Sequence, residues 1–216
     1  MTTARDEVLA RIRTALQRGR APAPVAETTG LAYRRHGDAD ETSLIGLLAD
    51  RLADYRALVH VVAADSLARE ITAALERRGA ATVVVPPGLG LPLPDAVAVA
   101  VDSAEDGHPL SAAELDAVDA VITRAAVAIA ETGTIILDGS PDQGRRAISL
   151  VPDYHLCVVD AGQVVELVPE AVARLAGTAG RPLTWISGPS ATSDIELERV
   201  EGVHGPRTLE VLLVTR

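Results

Sequence analysis

A chain of 216 residues with 48% hydrophobic content is long enough to bury one good core, so a single domain with an N-terminal appendage is expected. Its formal charge of -10 and pI near 4.9 argue against nucleic acid as the main partner, because phosphate neutralisation needs clustered positive charge and only 2% of the residues are aromatic platforms for bases. All 20 basic residues are arginine, which removes the Walker A lysine, Schiff-base chemistry and pyridoxal phosphate attachment, and leaves anions to Arg or to backbone N–H groups.

The first element in the chain is ARDEVLARIRTALQRG, where Val8, Ile12, Ala15 and Leu16 recur at helical spacing and Gly19 marks a stop. This amphipathic helix and the Pro/Ala-rich connector after it form an appendage over residues 1–40. Its apolar stripe requires a partner, either the main body or a neighbouring subunit, so a homo-oligomer is compatible with the pattern. Residues 41–216 form the α/β domain.

From Glu41 the pattern alternates regularly. ETSLIGLLADRLADY reads as a helix, ALVHVVA as a buried strand, SLAREITAALERRG as a helix, ATVVVPP and DAVAVAVD as strands, and SAAELDAV as a short helix. DAVITRAAVAIAETGTIILDG is expected to hold two strands around the short AAVAIAE segment. A helix near GRRAISL, a strand in HLCVVD, a short apolar QVVELV, a helix at PEAVARLAG and strands at LTWIS and TLEVLLV complete the chain. The simplest assembly is a three-layer α/β/α domain with a mainly parallel sheet and its ligand loops at the carboxyl ends of the strands.

Two loops carry candidate chemistry. In AETGTIILDGS, Glu131 precedes Thr132, Gly133 and Thr134; glycine permits a tight turn or close approach to a ligand, and the two hydroxyls can donate to an anion. A plain turn fits the same residues. In ISGPSATSDIELERVEGVHGP, Gly188, Ser190, Thr192 and Asp194 follow a strand, as in an anion-binding concavity of backbone N–H groups. There, Ser193 or Asp194 capping a helical turn explains the residues equally well. Arg145 and Arg146 stand where a helix should start and where one guanidinium can fork onto a carboxylate or phosphate, although arginines at such a position are more often solvated. His204 is the acid–base candidate by type, with packing in a turn as its rival. GLGLP, at residues 88–92, lacks the third glycine and the helix of a dinucleotide fingerprint and reads as a Pro/Gly connector.

The single cysteine, Cys157, lies in an apolar run, so it reads as a small buried hydrophobe and cannot alone hold an iron–sulfur cluster, which takes about four cysteines. No HxxxH or CxxC spacing supports a metal site. No run approaches the roughly 20 apolar residues of a membrane span, and the apolar core of a signal peptide is missing from the N-terminus, so a cytoplasmic protein is expected.

The order AIAETGTIILD, RRAISLVPDYHLCVV, ISGPSATSDIELERVEGVHGP and LEVLLV resembles the lactate-utilization (LUD) domain family. The resemblance implies a fold like that of ribose-phosphate isomerases, glucosamine-phosphate deaminases and CoA transferases. It implies a role in bacterial oxidation of L-lactate to pyruvate beside operon partners that carry the iron–sulfur clusters, with no cofactor on this chain. It also implies a pocket with Glu131, Thr132, Gly133 and Thr134 on one wall and Gly188, Pro189, Ser190, Thr192, Asp194 and Glu196 on the other, with His204 in the last signature element. Glu131 and His204 are then the candidate catalytic residues, and the region is expected to be a small-anion pocket or a docking surface. The alternative is a stand-alone enzyme or binder for a sugar phosphate, CoA ester or folate.

Overall fold

The computed structural model describes residues 4–17, 32–103, 109–178, 180–192, 200–201 and 205–216. The chain divides into two compact units, Met1–Arg34 and Arg35–Arg216. The first carries helix α1, Ala4–Gln17, where Arg11 pairs with Glu7 one turn earlier and Val8 and Ile12 are exposed.

The second unit is built on a six-stranded sheet in which every neighbouring pair is parallel, in the order β1-β12-β7-β4-β2-β3. Its strands are β1 (Leu58–Ala63), β2 (Thr82–Val85), β3 (Ala98–Val101), β4 (Ala120–Arg124), β7 (Tyr154–Asp160) and β12 (Thr208–Thr215). The central strands β7 and β12 are almost entirely buried, as their unbroken apolar runs require of a parallel strand covered on both faces. The expected α/β architecture with a mainly parallel sheet and flanking helices is the one observed.

Helix α3 (Leu67–Arg78) presents Ile71, Ala74 and Leu75 to one face, against Leu156, Val158, Leu212 and Val214, and ends at Gly79, whose φ of 64° is left-handed. On the other face, helix α2 (Glu41–Asp54) places Ile45, Leu48 and Leu52 over Cys157, Val159, Val211 and Leu213. Asp40 starts α2 by accepting from the Ser43 N–H at 2.8 Å. Beside α2 on that face lie the short helices α4 (Ala112–Asp116) and α5 (Arg146–Leu150), packed over Val84 and Val121.

A second, four-stranded sheet, β8-β5-β6-β9, shares that face with α2. It comprises β5 (Val127–Ile129), β6 (Thr134–Leu137), β8 (Val164–Val165) and β9 (Thr184–Ile186), and α6 (Val168–Arg174) packs on its outer side. The segment expected to hold two strands therefore holds three, because AAVAIAE contributes β5 itself. Three residues are too few for any period to show. Strands β10 (Ala191–Thr192) and β11 (Val200–Glu201) form a small antiparallel pair.

Candidate functional site

The small sheet joins two concave regions. Strands β6 and β9 are antiparallel, with Leu137 opposite Thr184 and Ile135 opposite Ile186, so the register carries Gly139 toward Pro182 at one end of the pair, and Thr134 toward Ser187 at the other. At about 3.4 Å per residue, the five steps from Pro182 to Ser187 span roughly 17 Å. The Ser187 end opens on a cavity at the amino ends of β7 and β12. The Pro182 end opens on a cleft at the carboxyl ends of β2 and β3.

The cavity encloses about 200 Å³ and is lined in part by Ser149, His155, Ser187, Gly188, Ser190 and Gly205. His155 is the second residue of β7, and parallel pairing with β4 sets it opposite Val121, two residues before Thr123, whose Oγ1 lies 2.8 Å from the His155 Nε2. Thr123 Oγ1 also lies 3.9 Å from Cys157 Sγ, so imidazole, hydroxyl and thiol form one buried cluster beside the cavity. Burial lowers the His155 pKa to about 4, and the imidazole is neutral near pH 7. Burial likewise pushes the Cys157 thiol up to about 12, keeping it protonated. The cavity is thus uncharged among its described residues, with hydroxyl groups and one neutral imidazole.

The two signature loops do meet. Thr132 donates to Thr134 Oγ1 at 2.8 Å, and Thr134 Oγ1 is 2.8 Å from Ser187 Oγ. Only the second loop lines the cavity, through Gly188 and Ser190, while residues 131–134 stand behind it. Glu131 is exposed at the corner between β5 and β6, and its N–H donates to the Glu166 carbonyl at 3.1 Å. Gly133, at φ 59°, has room for no side chain, since a Cβ would sit 2.8 Å from the Cβ of Arg51 and 3.0 Å from its carbonyl carbon. Gly188, at φ 88°, meets Tyr55 in the same way at 2.6 Å. The close approach these glycines permit is to the end of α2. Ser190 fixes its loop by donating its N–H to the Pro206 carbonyl at 2.8 Å, and Thr192 pairs with Val200 in the small hairpin.

The cleft is larger, about 630 Å³, and is walled by Pro87 and Gly88 after β2, Asp102 after β3, residues 138–141 and 144–146, and Arg181 with Pro182 before β9. Arg145 forks onto Asp102, with Nε 2.7 Å from Oδ2 and Nη2 2.8 Å from Oδ1, and also donates to the Leu110 carbonyl. The anion it holds is therefore a carboxylate of its own chain, and that hydrogen bond raises the Arg145 pKa. Arg181 pairs with the buried Asp138 at 3.0 Å. Gly88, in the segment read as a connector, donates its N–H to the Pro141 carbonyl at 2.8 Å and forms part of the wall.

The sequence signature of the LUD domain spans residues 45–214. This chain belongs to the LUD domain family. It is 54% identical over 167 residues to "Lactate utilization protein C" of Deinococcus radiodurans, a match that covers 76% of each chain. A protein of the same name from Bacillus subtilis is 33% identical over 100 residues, covering 44% of this chain and 41% of that one. Among solved structures, the crystal structure of a DUF162 family protein from Deinococcus radiodurans has 43% sequence identity and a TM-score of 0.70, covering 82% of this chain and 100% of that one.

Within this LUD domain, Asp194, Glu196 and His204 lie outside the described residues. Among the described residues, no three His, Cys, Asp or Glu are grouped to hold a metal ion, and no helix is long and apolar enough to cross a membrane. His155, Asp102, Asp138 and Arg181 were not singled out from sequence. Two signals point toward the cleft: a carboxylate that closes a predicted parallel strand, as Asp102 closes DAVAVAVD, and the arginine pair at 145–146.

Proposed function

We propose that this chain is the component without a redox centre in a cytoplasmic system that oxidises L-lactate to pyruvate, acting with iron–sulfur partner proteins and offering the cavity at the amino ends of β7 and β12 to a small carboxylate. The observation that carries this reading is the 54% identity over 167 residues to a protein named for lactate utilization. The size of the cavity supports it: about 200 Å³ falls below the roughly 300–1,000 Å³ of sites for larger ligands and suits a three-carbon hydroxy acid. Serine hydroxyls at 149, 187 and 190 suit a carboxylate, and the neutral imidazole of His155 in the lining suits a hydrogen bond with the substrate hydroxyl.

The same groups favour holding over oxidising. A general base works best with a pKa near the operating pH, and at about 4 the buried imidazole is a poor proton acceptor. The electron acceptor then belongs to the partners. The experiment is lactate-dependent dye reduction by the purified partner proteins with and without this chain, alongside growth of a deletion strain on L-lactate as sole carbon source. Loss of both is expected; full dye reduction without the chain and normal growth of a strain with no other lactate dehydrogenase would sink the proposal.

A further inference from the structure

We infer that the cleft at the carboxyl ends of β2 and β3 is a second ligand site, for a phosphate-bearing molecule of nucleotide size. This inference stands apart from the lactate reading and does not rest on it. It is carried by the charge left over once the cleft's own ion pairs are counted. Asp102 and Asp138, with side chains 1% and 5% exposed, are each neutralised by an arginine, Arg145 and Arg181. Arg146 also faces the cleft, and among the described residues its guanidinium makes no hydrogen bond or ion pair. An acidic chain of net charge -10 thus keeps, among its described residues, a cation without an ion pair on the wall of the larger of the two concavities. Arg181, with its side chain 43% exposed, adds a second guanidinium within the same lining, and the planar fork of donors in each matches phosphate oxygens.

The walls are already in place. Gly88 is pressed so closely on Pro141 that a Cβ would lie 2.7 Å from the proline ring, which locks the loop after β2 to the loop after β6. Asp138 takes hydrogen bonds from the N–H and the hydroxyl of Ser140, and its own N–H donates to Gln143 Oε1 at 2.6 Å. Gly139 and Gly144, at φ of 70° and 69°, make the turns that bring this loop round. A binding site built this way loses little entropy when it is filled. Its volume of about 630 Å³ lies in the range of nucleotide-sized ligands, too large for a lone phosphate or for lactate to fill, and the rings of Pro87, Pro141 and Pro182 give the body of the ligand an apolar bed.

The test is calorimetric titration of the full chain with ADP, coenzyme A, inorganic phosphate and adenosine. ADP or coenzyme A should bind, adenosine should not, and inorganic phosphate should bind more weakly. Arg146→Ala should weaken the bound ligand about tenfold or more, the loss expected for a hydrogen bond to a charged group, while leaving the fold intact. His155→Leu, at the other end of the small sheet, should leave the affinity unchanged. The inference is overturned if neither ADP nor coenzyme A binds at millimolar concentration, if adenosine binds as tightly as ADP, or if Arg146→Ala and Arg181→Ala both bind as the wild type does.

Discussion

The cavity and the cleft lie about five residues apart along the same small sheet, yet opposite physical means hold them. At the cavity, glycines pressed on the end of α2 and a chain of hydroxyls, Thr132 to Thr134 to Ser187, set the geometry without any charge. At the cleft, two buried carboxylates, each clamped by an arginine, set it. The difference shows that polarity in a loop says little about which ligand it serves. A neutral pocket selects by size and hydrogen bonding, a cationic one by charge, and one fold supports both because they open at opposite ends of the parallel strands.

The sharpest break between the two regions is expected from Asp102→Ala. Removing one partner of a buried pair leaves the other charge unsatisfied, at a cost of about 3–5 kcal/mol. The lower end applies here, since the Arg145 side chain is 34% exposed and can turn to water. Urea unfolding should show this loss. A change below about 1 kcal/mol would mean that the ion pair is not what holds the cleft.

The cavity should respond to pH instead. The unfolded imidazole of His155 titrates near 6.5 and the folded one near 4, so between those values the unfolded chain binds the extra proton. Stability from this group is complete above about pH 6.5 and is lost as pH falls through 4, by on the order of 3 kcal/mol. The unfolding free energy of wild type minus that of His155→Leu, followed from pH 7 to pH 4, isolates the effect from the titrating carboxylates. A flat difference would place His155 in contact with water.

How much of this was legible in the chain follows from how local each feature is. Strands such as YHLCVVD and TLEVLLV announce themselves, because a strand buried on both faces is an unbroken apolar run. The meeting of ETGT with the loop after LTWIS was legible as motif order, and its physical basis is the register of β6 with β9. By contrast, His155 sits inside an apolar strand and acquires its surroundings only through Thr123, 32 residues away. Asp102 and Arg145 are separated by 43 residues, and Gly88 packs on Pro141 from a distant part of the chain. No window of sequence contains such pairings, so GLGLP read as a connector and the cleft stayed hidden.

A smaller effect separates the two uses of glycine. Gly133→Ala should cost about 2 kcal/mol, from the left-handed backbone at φ 59° and from the 2.8 Å contact forced on Arg51, with thermal unfolding as the measurement. If the contact with Arg51 were not what requires the glycine, the loss would stop at the roughly 1 kcal/mol of the left-handed backbone alone.

The smallest effect expected is Arg146→Ala on stability, within about 0.5 kcal/mol, because no bond within the described residues depends on this guanidinium. That near-silence is informative when set beside Asp102→Ala. Two side chains of one cleft would then differ several-fold in what they contribute to folding, the carboxylate fixing the wall and the free arginine contributing almost nothing to it. A residue that leaves the fold unmoved while keeping a positive charge on a concave surface is available for a ligand. A loss above about 1 kcal/mol in Arg146→Ala would place it among the wall's own supports and remove the distinction.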